Sequence, residues 1–192
     1  MKKYILAAVF ALVASSAVAG EYVNASVGST STNAQRSNVL VAAYGTNFDS
    51  WNVEGRVAMV EGETINGLGN FVEGRVRYNF SDVVGVKPWV RATLGDQLRT
   101  TAGDRAYLGG EAGVGVQCTE NLRSDLSIAR KVTLGNPVVN QGADQTSFTL
   151  GAAYALSEKN SIGASYTHAI GNVGTVSMTG ASAVLVSFNH SL

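Results

Sequence analysis

The chain of 192 residues contains one cysteine, two prolines and two histidines, and its acidic and basic residues balance to a formal net charge of zero. Each scarcity removes something. Cys118 cannot form an internal disulfide, and no His or Cys cluster has the spacing of a metal site, so this cysteine reads as a small apolar filler and no cofactor is implied. A neutral chain lacks the basic excess that attracts nucleic acid, which argues against that partner. After residue 20 no apolar run approaches the roughly 20 residues that a membrane-spanning helix requires. No helix-period pattern and no tandem motif repeat is present either.

The N-terminus carries an address. Lys2 and Lys3 form a positive n-region, Ile5 to Ala14 an apolar h-region, and Ala17-Val18-Ala19 a small-residue site that predicts cleavage before Gly20. Residues 1–19 are therefore expected to be a signal peptide and residues 20–192 a single exported domain. If that domain lives in a membrane, it crosses it as strands.

Strand-like runs alternate with two kinds of connection. Short ones lie at Asn47 to Ser50, Ser81 to Lys87, Thr119 to Asn121 and Ser157 to Asn160. Longer ones, rich in Gly, Thr, Asn and Asp, lie near Ser31 to Ser37, Glu61 to Leu68, Leu98 to Asp104, Thr133 to Gln145 and Gly171 to Gly180. This is the pattern of an antiparallel up-and-down meander with short turns on one rim and longer loops on the other. About ten strands fit between the breaks, an even number that puts both termini on the short-turn side. Eight is the competing count, if the thin first strand from Glu21 to Thr30 and a neighbour are not strands.

Within the strands the charges sort onto one face. Trp51, Val53, Gly55, Val57 and Met59 alternate with Asn52, Glu54, Arg56 and Ala58, and Val72, Gly74, Val76, Tyr78 and Phe80 alternate with Glu73, Arg75, Arg77 and Asn79. Later strands repeat the division, with Arg105, Glu111 and Gln117 opposed to Ala106, Leu108 and Val114, and with Arg123, Asp125 and Lys131 opposed to Leu122, Leu126 and Ile128. A soluble sandwich would show the same period with its apolar face inside. Aromatic placement favours a membrane barrel. Tyr44, Phe48, Trp51, Tyr78, Phe80, Trp89, Tyr154 and Phe188 fall near the short-turn rim, and Phe71, Tyr107, Phe148 and Tyr166 in the half nearer the longer loops, as two interfacial girdles would. Three positions depart from the rule: Trp89 has the parity of the charged face, Arg130 has the lipid parity, and the second strand is apolar on both faces.

The last strand places Val184, Val186, Phe188, His190 and Leu192 on one face and runs to the final residue, as a strand does that must pair with the first to close a sheet. With signal, turns, girdles and final strand together, residues 20–192 resemble the small bacterial outer-membrane β-barrels, a group that includes OmpX-like proteins, the OmpA membrane domain and the short porin-family barrels. The resemblance is to an architecture. It implies a Gram-negative outer-membrane location, with outer-membrane lipid and lipopolysaccharide as surroundings. It also implies that the barrel-assembly machinery reads Val184, Val186, Phe188 and Leu192 as a C-terminal signal. Leu192 stands where that group most often has Phe, and His190 where an apolar or aromatic residue is usual.

The fold class expected is thus all-β, an antiparallel transmembrane barrel. Glu54, Arg56, Glu73, Arg75, Arg77, Arg91, Arg105, Glu111, Arg123, Asp125 and Lys131 are expected to point inward, where opposite charges on facing strands can pair. About eight strands make a barrel just filled by its side chains, so about ten leave at most a narrow path. The function expected is structural or weakly porin-like, with small ions or solutes as the cargo of the pore version and anions favoured by the basic excess. A surface adhesin is the alternative, through loops such as Val139 to Thr146 and Gly171 to Gly180. A lipid A-modifying enzyme is weaker. Ser165 to Asn172 resembles the His-x-Ser-Asn stretch of lipid A deacylase barrels, but Ile170 occupies the serine position, which removes the nucleophile. Omptin-like proteases also have ten strands, but Asp96, Asp104 and Asp144 have no histidine beside them in sequence. On charge placement alone, Val76→Arg is expected to impair insertion and Arg75→Val to be tolerated better.

Overall fold

A computed structural model describes residues 20–32, 35–60, 70–98, 105–134, 143–173 and 176–192, so the expected signal peptide lies outside the described residues. The described residues form ten strands: β1 (Glu21–Thr32), β2 (Gln35–Phe48), β3 (Trp51–Val60), β4 (Asn70–Asn79), β5 (Val86–Leu98), β6 (Arg105–Gln117), β7 (Leu122–Thr133), β8 (Ala143–Ala155), β9 (Asn160–Val173) and β10 (Val176–Ser191). Each pairs antiparallel with its neighbours in sequence, and β10 pairs with β1 to close the barrel. Closure sets Ala25 opposite Phe188 and Val27 opposite Val186. It leaves no unpaired edge, which is the condition for a sheet surrounded by hydrocarbon. The count is ten, and the thin first strand is real because a ladder needs backbone groups, not large side chains.

The short connections are residues 49–50, 80–85, 118–121 and 156–159, on the same rim as Gly20 and Leu192. There the Asn47 amide donates to the Gly20 carbonyl at 3.0 Å and the Leu192 amide to the Glu21 carbonyl at 2.9 Å. Asp49 adopts a left-handed backbone (φ 50°), which aspartate tolerates in tight turns. On the other rim two expectations need correction. Only residues 33–34 separate β1 from β2 and only residues 174–175 separate β9 from β10, so the connections expected at Ser31 to Ser37 and Gly171 to Gly180 are mostly strand. Apolar alternation marks a strand only where one face meets an apolar phase. Beyond that depth both faces can be polar, and a Ser/Thr/Asn run pairs just as well. The other three expected loops fall largely on residues 61–69, 99–104 and 135–142, outside the described residues.

The parity of the faces follows the expectation. Val76, Leu94, Leu126, Ile128, Leu150 and Val186 are among the large apolar side chains exposed on the outside, and the described charged residues of the expected set face in. The girdles require a further correction. Trp51, Tyr78 and Phe80 do form an outward aromatic row near the short-turn rim, in edge contacts at 4.8 and 5.0 Å. Phe71 and Tyr107, however, point into the barrel, where Arg56 lies over the Phe71 ring and the Tyr107 hydroxyl reaches Glu73. Both share the parity of the charges, and position along the strand alone cannot separate a girdle from a lumen. Trp89 is buried inside, as its parity indicated.

Large inward rings are accommodated by glycine on the facing strand. Tyr22 lies over Gly45, Tyr107 over Gly95 and Trp89 over Gly113, each directly opposite in the register. A Cβ at Gly113 would run into the Trp89 ring and sit 2.8 Å from the Leu126 carbonyl oxygen. Gly113→Ala is therefore expected to cost about 1–3 kcal/mol of barrel stability through overpacking. A denaturant titration of the refolded protein checks this, and an unchanged midpoint would mean that the ring is free to move.

Candidate functional site

The chemistry of this molecule is inside the barrel, where β3 to β7 supply large charged and aromatic side chains. Its centre is Glu73 on β4, whose side chain has no solvent exposure. An ionised carboxylate has about four acceptor sites, and here they are taken. Tyr107 donates its hydroxyl to Oε1 at 2.6 Å, Lys131 donates Nζ to Oε1 at 2.6 Å, and Arg75 donates Nε to Oε2 at 2.8 Å and Nη2 to the same oxygen. Arg56 completes the shell at 3.9 Å. Four strands thus converge on one carboxylate.

Strand register explains the convergence. Arg56 is paired with Glu73 across β3 and β4, and Glu73 and Tyr107 both stand opposite Gly95 from either side of β5, whose missing side chain lets them meet. Toward the short-turn rim, Arg75 is shared with Glu54 at 3.6 Å. Glu54 accepts the Tyr22 hydroxyl at 2.9 Å, and that hydroxyl accepts Asn52 Nδ2 at 3.0 Å, which ties β1 to β3. Arg91 and Glu111 are directly paired across β5 and β6 and bonded through Nε at 3.0 Å. Nearest the short-turn rim, Asp125 binds Arg123 at 2.8 Å and Arg77 at 3.9 Å, and the Arg77 guanidinium stacks over Trp89 at 4.1 Å from the ring centroid. Toward the other rim an apolar cluster forms on the β2 to β4 side, where Val39, Val41 and Ala58 are buried against Val60, Phe71 and Leu185.

Ten of the eleven expected lumen residues therefore enter inward ion pairs, in a group around Glu73, a group around Asp125 and the Arg91–Glu111 pair, and the side chain of Arg105 lies outside the described residues. Among the ten, Arg56, Arg75, Arg77, Arg91, Arg123 and Lys131 outnumber Glu54, Glu73, Glu111 and Asp125 by two. Tyr22, Tyr107, Asn52, Trp89 and Phe71 belong to the interior too. Their signal was parity, since each stands an even number of residues from an inward charge or on an inward position of its strand. The second strand's apolarity on both faces is also explained: its inward Val39 and Val41 fill the barrel.

The remaining expected sites fall as follows. Val184, Val186, Phe188 and Leu192 all face outward and are exposed. His190 bonds Asn160 at 2.8 Å. His168 stands opposite Phe148 and Ser182 on outward-facing positions, and Ile170 is exposed two residues on. Arg130, at lipid parity, donates to the Thr146 hydroxyl at 3.0 Å on the outer face of the loop half. Cys118 is exposed in the β6–β7 turn, so its expected filler role does not hold. Among the described residues no group of three His, Cys, Asp or Glu is placed to hold a metal ion.

No protein-family model matches the chain, and no curated protein matches it. Among solved structures it is similar to an outer membrane channel from Pseudomonas putida F1, at 9% identity over 91% of this chain and 96% of that one, with a TM-score of 0.55. It is also similar to the NanC porin (9% identity, 88% of this chain and 100% of that one, TM-score 0.49) and to Neisserial surface protein A (13% identity, 90% and 96%, TM-score 0.42). The fold is that of the outer-membrane β-barrels.

Proposed function

We propose that this protein is an integral outer-membrane barrel whose interior is closed to large solutes by its own charges, a structural component with at most narrow, weakly porin-like conduction. The observation that carries the proposal is the distribution of side chains about a closed ladder. Exposed Val, Leu, Ile and Phe cover the outside, and fully or partly buried ion pairs fill the inside, the inverse of a soluble sandwich. A carboxylate with all its acceptor sites occupied by protein donors contributes rigidity and offers nothing to a passing solute. The reading is non-enzymatic, and it is supported by the outward position of His168 and the absence of a hydroxyl at Ile170.

The test is the purified, folded protein in a planar bilayer, together with membrane fractionation of cells that express it. The expected result is outer-membrane recovery, a heat-modifiable band, and either silence or small openings whose reversal potential in a salt gradient leans toward anions. Large, steady, unselective openings that pass sugars would overturn the closed interior. Recovery as a soluble periplasmic protein would overturn the membrane assignment.

A further inference from the structure

The two halves of the wall are unlike. On β2 to β5 several inward positions are fully packed: Val41 is 2% exposed, Trp89 4%, and Ala58, Glu73, Thr93 and Gly95 are buried with them. Between Ser147 and Ala155 on β8 and between Ser161 and Gly171 on β9 the inward positions are all small, Ser, Thr, Gly or Ala. Thr149, Gly151, Gly163, Ser165 and Thr167 all keep partial solvent exposure although they face the interior. The charges show the same gradient. Side-chain exposure is 0% at Glu73 on β4 and rises to 30% at Asp125 and 37% at Arg123 on β7. The large side chains therefore lean against one another on one side of the lumen and leave space along the other.

We propose that this space is an off-centre, water-filled crevice along β8 and β9 that accepts small inorganic anions. It opens at the short-turn rim and narrows toward the other rim, where Ala169 and Ala181 are buried against each other. Its two walls explain the selectivity. Hydroxyls line one side, with Thr149 and Thr167 bonded to each other at 2.9 Å across β8 and β9. The other is the margin of the charge arrangement, where Arg123, Arg77 and Arg91 meet the acids Asp125 and Glu111 and leave one positive charge over. Hydroxyl and guanidinium groups both donate hydrogen bonds to an anion, whereas a cation finds hydroxyl oxygens on one wall and repulsion at the other. The inference rests on the proposed closed barrel and deepens it by saying where solvent and ions enter.

Cysteine accessibility in the folded barrel tests it. In a Cys118→Ser background, Ser165→Cys and, as a second position, Thr149→Cys are compared with Val41→Cys, using an anionic and a cationic methanethiosulfonate reagent. Cysteine at 165 or 149 is expected to react about tenfold or more faster than at 41, because a thiol at 41 reacts only through local opening. The anionic reagent is expected to be favoured about fivefold over the cationic one, relative to free cysteine, and Arg123→Gln to reduce that preference. If positions 165 and 149 are as protected as 41, or prefer the cationic reagent, in protein that still shows the heat-dependent mobility shift, the crevice is wrong and the barrel stands. If the Cys118→Ser parent itself shows no such shift, the barrel reading falls, and the crevice with it.

Discussion

Glu73→Ala is expected to lower the unfolding free energy of the refolded barrel by about 3–5 kcal/mol, the usual cost of breaking a buried ion pair by removing one partner. The size follows from what is left behind. Arg75, Lys131 and Arg56 would remain within the interior with their shared acceptor gone, and the Tyr107 hydroxyl would lose its partner at 2.6 Å. Truncation leaves several stranded donors rather than one, which puts the effect above that of an ordinary surface salt bridge. The measurement is a urea titration in lipid vesicles followed by tryptophan fluorescence. Of the two tryptophans, Trp89 reports from the interior and Trp51 from the outward face near the short-turn rim. The double variant Glu73→Ala, Lys131→Met should recover part of the loss, since it removes one of the stranded cations. A Glu73→Ala barrel as stable as the parent would show that water reaches and solvates those cations, and the tight packing around Glu73 would have to be abandoned.

Val76→Arg is expected to cost about 2–4 kcal/mol, the penalty for a cation on the lipid face of a barrel strand near mid-depth. Val76 is 42% exposed on the outside, paired with Val53 and Ala92 in a shallow apolar depression bounded by Trp51, Tyr78 and Val90. No acid faces it there, and an arginine must stretch past Tyr78 toward the rim to reach water. The fraction of protein that inserts into vesicles and becomes heat-modifiable reads the effect directly. Insertion equal to the parent would count against burial of this face in lipid. The companion expectation for Arg75→Val reverses once the structure is known. Parity makes Arg75 merely inward, but its guanidinium bridges Glu73 and Glu54, so its loss leaves a fully buried carboxylate short of a counter-ion. Arg75→Val should destabilise as strongly as Val76→Arg, for a different reason.

The pair of adjacent residues shows how far a sequence reaches. Period-2 alternation assigns Val76 and Arg75 to opposite faces, and it did the same for Leu126 and Asp125. It marks the second strand as apolar on both faces without giving the reason, which is that its inward Val39 and Val41 fill the barrel. Girdle and lumen aromatics look alike in one dimension, so Phe71 and Tyr107 needed the closed ladder to be placed. The polar ends of β1, β2, β9 and β10 look like loops in one dimension because strands there need no apolar face.

What the amino-acid sequence by itself determined is the class, meaning an all-β meander with charges on one face, apolar residues on the other and a terminal strand able to meet the first. Backbone geometry forces successive side chains to opposite faces, so alternation alone carries that much. Which charges meet was decided only by the tertiary structure. Glu73 touches groups from residues 56 to 131, and those distances in sequence are closed by strand register, the curvature of the sheet and the glycines that make room for rings. Packing within a closed lumen is a property of all ten strands at once.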